Sequence, residues 1–145
     1  RIACDLIPSL TERQLQMLGL AANIYAIIPL HQFDENQYNH WLMSRFAPYQ
    51  TLSFSHLDMS HIEALSCGKF ESFLGRNLRE ILKNKNHGIF NYEIFSKSAV
   101  GNKIISLWKD QKFESFNLTS IGQLIGILVS DRLSNTKTSL SNWNA

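Results

Sequence analysis

The chain has 145 residues, of which 44% are apolar and 18% charged, and it carries a formal net charge of +2. A chain of this size suits one domain able to hide about 68–70% of its unfolded surface, and its composition excludes intrinsic disorder, which needs low hydrophobicity and high net charge. The charge is too small to mark a nucleic-acid or anionic-membrane binder by itself, and no apolar run reaches the roughly 18 residues of a membrane span.

A charged share below the usual value of about 25% suggests a surface partly covered by a partner. The chain enters through "RIACDLIPSLT" and is read as a piece of a longer polypeptide. Cys4 and Cys67 lie far apart and form no C-x-x-C, so free thiols in a reducing, cytoplasmic compartment are expected.

In chain order, "SLTERQLQMLGLAANIYAII" predicts a central helix over 10–28. Ser9 and Glu12 have capping-box spacing. Leu15, Leu18, Ala22 and Tyr25 make one apolar face and Met17, Leu20, Ile24 and Ile28 a second, the mark of a buried helix. Pro29 ends it. "DENQYNHWLMSRF" predicts a second helix, with Asp34 and Gln37 as its box and Tyr38, Trp41, Leu42 and Arg45 on one face. "YQTLSFSHL" reads as a loop or short strand. A short third helix over 58–67 takes Ser60 and Glu63 as its box and Gly68 as its C-terminal stop.

"GRNLREILKNKNHG" predicts a helix with Leu78, Ile81 and Leu82 inward and Gly88 after its end. "IFNYEIF" is ambiguous between strand and helix. "SAVGNKIISLWKDQ" is helical, with Val100, Ile104, Leu107 and Trp108 on one face. In "NLTSIGQLIGILVSDRL", Ser120 and Gln123 form a box and Ile121, Leu124, Ile125 and Leu128 the apolar stripe. The tail from 134 to 145, including Trp143, is polar and expected to be loose. The sum is about six helices with a little strand and no strand–helix alternation of the parallel-sheet kind.

The pentapeptide "KFESF" occurs at Lys69–Phe73 and again at Lys112–Phe116. Two units are too few for a solenoid. The copies are instead expected to be short strands of one sheet, each launching a helix. The segment "FESFNLTSIGQLI" resembles the wing-to-helix junction of winged-helix proteins such as the MarR family, with Leu118, Thr119 and Gly122 in the L-T-x-x-G pattern. "MSHIEALSCGKFESF" is similar to the short helix and first wing strand that come earlier in that fold. Related halves occur at the C-terminal end of bacterial proteins, some of the Abi-alpha abortive-infection group. The resemblance covers about a third of the chain. It implies a winged-helix-like scaffold with one departure, an insertion of about 38 residues between the wing strands where hairpin loops have about 2–5.

In such a scaffold the helix at 58–67 would read bases, which calls for Arg, Lys, Asn or Gln on it. It offers Asp58, His61 and Glu63 and no Lys or Arg, so scaffold and protein contact are expected rather than base reading. The best basic cluster is Arg76, Arg79, Lys83 and Lys85, with Lys69 nearby. It is the candidate phosphate or nucleic-acid contact, set against a plain solvated helix face with cations at its C-terminal end. His56, Asp58 and His61 lack the i, i+4 spacing of helical metal ligands. Cys67 sits near a helix C-terminus, where a thiolate is disfavoured. No P-loop, G-x-S-x-G or G-x-G-x-x-G is present.

The expectation is therefore a mainly helical, non-catalytic domain with a small two-stranded element, working in protein interaction or regulation within a larger bacterial protein. No catalytic, cofactor or metal residue is assigned. The partner is the rest of the polypeptide, another protein or a second copy of the chain. Nucleic acid is the rival, and no membrane is expected.

Overall fold

The structure is a computed structural model and describes residues 7–138. Seven α-helices and one two-stranded sheet make up the regular elements among those residues. In chain order they are α1 (Glu12–Tyr25), α2 (Glu35–Phe46), α3 (His56–Ala64), β1 (Gly68–Phe70), α4 (Leu78–Asn84), α5 (Tyr92–Lys97), α6 (Ala99–Lys109), β2 (Phe116–Leu118) and α7 (Ser120–Ser134). The ambiguous "IFNYEIF" becomes α5, because Asn91 caps it by accepting from the Ile94 N–H at 3.1 Å. Leu52 and Phe54 stay in a loop yet reach the core.

Helix α1 is the central element, as its two apolar faces require. Met17, Leu18, Leu20, Ala21, Ala22 and Ile24 are completely buried. Its cap is not Ser9 with Glu12, because Ser9 belongs to a preceding 3-10 turn. Thr11 and Gln14 form the box instead, with Gln14 N–H donating to Thr11 at 3.1 Å and Thr11 N–H to Gln14 at 3.2 Å. The Asp34–Gln37 box of α2 forms as expected. In α3 the pair is Ser55 and Asp58, since the Asp58 carboxylate accepts the Ser55 N–H at 2.9 Å, and Ser60 is an exposed mid-helix residue. That helix stops at Ser66, which takes φ 60. The Cys67 N–H then closes on the Ile62 carbonyl at 3.1 Å, and Gly68 opens β1 rather than ending α3.

The strands pair antiparallel with Gly68 opposite Leu118, Lys69 opposite Asn117 and Phe70 opposite Phe116. The two "KFESF" copies therefore meet with an offset, the start of the first against the end of the second. Phe113 lies outside the ladder, in a 3-10 turn over Phe113–Ser115 entered through Lys112 at φ 64. Three helices, α4 to α6, lie between the strands.

Helix α7 packs along α1 through a stripe different from the expected one. Ile125 is buried, but Leu124 and Leu128 are 37% and 47% exposed. The inward face runs through Gly122, Gly126 and Ser130, one helical turn apart. A Cβ at Gly126 would overlap the Leu18 carbonyl of α1, and one at Gly122 the Cys67 carbonyl. The contact is made backbone to backbone, which turns the larger Leu124 and Leu128 outward. The α7 cap is Thr119, accepting from Gly122 N–H at 3.1 Å, not Ser120 with Gln123. Thr119 also donates to the Ser66 carbonyl at 2.6 Å, pinning the start of α7 to the start of β1. Of the polar tail, residues up to Thr138 turn back onto Asp131, which accepts from the Thr138 N–H at 3.0 Å. Trp143 and Cys4 lie outside the described residues.

A buried polar knot ties α1, α2 and α7 together. Arg45 donates from Nε to Asn23 Oδ1 and from Nη2 to Ser130 Oγ, both at 2.7 Å. Asn23 Nδ2 lies 2.9 Å from Ser130 Oγ and 3.2 Å from the Tyr49 hydroxyl. Charge-assisted bonds of this kind are about twice as strong as neutral ones, and they satisfy groups that would otherwise be costly to bury.

Candidate functional site

The two copies of one pentapeptide meet opposite fates. In the second, Phe113 and Phe116 are both fully buried and stack with ring centroids 5.3 Å apart. In the first, Phe70 is half-buried and Phe73, the counterpart of Phe116, is fully exposed. Phe73 stands on the turn that follows β1, where Leu74 N–H donates to the Glu71 carbonyl at 2.9 Å. The turn is held from beneath: Glu71 N–H donates to the Ser115 carbonyl at 2.9 Å, Ser115 Oγ to the Leu74 carbonyl at 2.9 Å, and Trp108 Nε1 to the Arg76 carbonyl at 2.9 Å. An exposed aromatic on an anchored turn is presented at low entropic cost to whatever covers it.

Two features continue this surface. His56 meets Phe70 edge-on at 5.3 Å, which sets the turn beside the start of α3, where Leu57 is 79% exposed. The outer edge of β1 is blocked at one point, because the Phe70 N–H donates to Glu63 Oε2 at 2.9 Å. A carboxylate on an edge strand discourages indiscriminate strand pairing and leaves the side chains as the available contacts.

The basic residues singled out from the sequence do not form one face. Arg76 is half-buried, with its guanidinium 4.9 Å over the Tyr25 ring and Nη1 donating to Asn117 Oδ1 at 2.6 Å. Burial pushes the Tyr25 phenol up, partly offset by Arg76. Arg79 is exposed and lies 5.2 Å over the Tyr92 ring. Arg76, Arg79, Tyr92, Ile105, Trp108 and Lys109 line one cleft of about 410 Å³. Lys83 follows on α4, one turn beyond Arg79. Lys85 leaves the surface: its ammonium donates to the Asn23 carbonyl at 2.5 Å and lies 5.5 Å over the Trp41 ring. Burial, with a smaller contribution from the nearby Arg45 charge, lowers its pKa to about 7. Lys69 is exposed on β1.

The remaining candidates are absorbed by packing. Burial alone would raise the Asp58 pKa, but bonds from Ser55 N–H, Gln14 Nε2 and Arg13 hold it below the usual carboxylate value. His61 Nδ1 sits 2.8 Å from Gln14 Oε1, and His56 lies against Phe70, so the three residues do not converge. Cys67 is buried, and burial, rather than the helix end, raises its thiol pKa. Sequence reading missed Phe73, because an apolar residue outside a periodic segment carries no signal of its direction. The one hint was its flank of Ser72 and Gly75, the composition of a turn.

A family model matches the chain over residues 2–106 and over residues 93–144. No curated protein and no solved structure matches it.

Proposed function

We propose that this chain, which belongs to the family whose model spans residues 2–106 and 93–144, is a non-catalytic protein-interaction or regulatory domain of a larger bacterial cytoplasmic protein. The observation that carries this reading is the full exposure of Phe73 on a turn anchored by Ser115 and Trp108. Aromatic side chains and arginines supply most of the energy at protein contacts. Here Phe73 stands on a turn followed by Arg76 and Arg79, and the exposed Leu57 stands next to His56, which meets Phe70. The low charged share of the sequence agrees with a surface that is covered in the working assembly. The occupant is the remainder of the polypeptide, another protein or a second copy.

Nucleic acid is the second reading, favoured by Arg76, Arg79 and Lys83. Against it, Lys85 is turned inward, and the exposed residues of α3 are His56, Leu57, Ser60, Glu63 and Ala64, with no Lys or Arg among them. An acidic residue there would face phosphates at a cost in affinity. No helix among the described residues is long and apolar enough to cross a membrane.

The test is Phe73→Ser in the full-length protein. Its circular dichroism should match the wild type, because the side chain buries nothing. The native assembly measured by light scattering should lose mass. Unchanged assembly mass contradicts the reading, and salt-dependent binding of random duplex DNA with an intact Phe73→Ser assembly supports the rival.

A further inference from the structure

The geometry points to a ligand site beside the docking turn: the cleft between Gly75–Arg79 and α6 binds the phosphate monoester of a small organic molecule through Arg76 and Arg79. The cavity of about 410 Å³ falls in the range of small-molecule sites, about 300–1,000 Å³. No carboxylate lines it. Among the described residues neither arginine is ion-paired. Arg76 is bonded to the neutral amide of Asn117, and Arg79 rests on Tyr92. Lys109 at the same cleft shows the contrast, since Glu114 neutralises it at 3.3 Å.

Two arginines line one concave site, neither is paired with a carboxylate, and guanidiniums have the fork geometry that matches phosphate oxygens. Both are preoriented. The Tyr25 and Tyr92 rings support the planar groups, and the Trp108 indole N–H fixes the backbone of Arg76, so less side-chain freedom is lost on binding. Ile105 and the flank of Trp108 supply an apolar wall that an inorganic anion would leave uncontacted. The phosphate therefore belongs to an ester whose organic part lies along that wall. This inference does not depend on the docking role of Phe73.

Calorimetric titration of the full chain with adenosine monophosphate, a hexose phosphate, inorganic phosphate and uncharged adenosine tests it. Saturable binding of at least one monoester, tighter than inorganic phosphate and absent with adenosine, is expected. Arg79→Gln should weaken it at least about tenfold, the scale of losing a charge-assisted hydrogen bond. Lys97→Gln, an exposed cation outside the cleft lining, and Phe73→Ser should leave it unchanged. Failure of both monoesters to saturate overturns the proposal, as does binding no tighter than that of inorganic phosphate. Equal weakening by Lys97→Gln, or random duplex DNA binding through Arg79 where monoesters do not, overturns it too. Loss with Arg79→Gln but not with Phe73→Ser separates this site from the docking turn.

Discussion

At the residue scale, Lys85 shows how a charged side chain can be structural. Periodicity placed it on a solvated basic helix, yet its ammonium caps the α1 carbonyl of Asn23 and covers the Trp41 ring. Its folded pKa, about 7, lies below the 10.5 of a free lysine. Between these values the unfolded chain binds more protons than the folded one, so stability rises with pH. The window closes near pH 9, where Cys67 and the buried Tyr38 and Tyr49 act with the opposite sign, because burial raises their folded pKa values. Urea unfolding at about pH 7 and about pH 9 should show a gain on the order of 1 kcal/mol, reduced from the full linkage value by the stem's contact with solvent. Lys85→Met should flatten that slope. An unchanged slope in Lys85→Met would mean that the ammonium is solvated in the folded state.

At the element scale, helix existence was legible and helix orientation was less so. Five of the helices follow from apolar spacing, because burying a face needs that spacing whatever the neighbours are, and the short α3 follows from its cap and stop signals. Caps were displaced by one or two residues where two Ser or Thr residues competed, as with Ser9 against Thr11 and Ser120 against Thr119. Which hydroxyl reaches an N–H is decided by the backbone path. Helix α7 misled more deeply, since a stripe of Leu and Ile reads as the buried face. The real inward face is Gly122–Gly126–Ser130, where Gly126 lets α7 approach α1 closely and Gly122 lets it approach the Cys67 backbone. The L-T-x-x-G pattern acquires a physical sense here: Thr119 caps the helix, and Gly122 leaves room for the Cys67 carbonyl. Gly126→Ala should cost about 2–3 kcal/mol, the scale of overpacking against a backbone that cannot yield. Leu128→Ser should stay within about 0.5 kcal/mol, as for other surface changes. Chemical denaturation of the two variants checks the contrast, and the reverse order would restore the Leu stripe as the buried face.

At the scale of the whole molecule, the two "KFESF" segments define what composition and periodicity cannot reach. Identical residues give a buried Phe116 and an exposed Phe73, because the second copy passes beneath the first and supplies both the strand partner and the Ser115 anchor. The sequence raises pairing of the two segments as a hypothesis, with Phe against Phe and Lys against Glu, and leaves their register open. Their offset, and therefore which Phe faces outward, depends on α4 to α6 closing the long connection between them. The fold class was thus readable from the sequence, the basic cluster only in part, and the exposed turn not at all. The functional claim rests on that turn. A photo-crosslinking amino acid placed at position 73 of the full-length protein in cells tests it most directly, with position 97, an exposed site on α5, as the control. A discrete adduct at 73 and none at 97 is the predicted result, with mass spectrometry identifying the crosslinked segment. Absence of an adduct at 73, or equal labelling at both positions, would contradict a docking role for the turn.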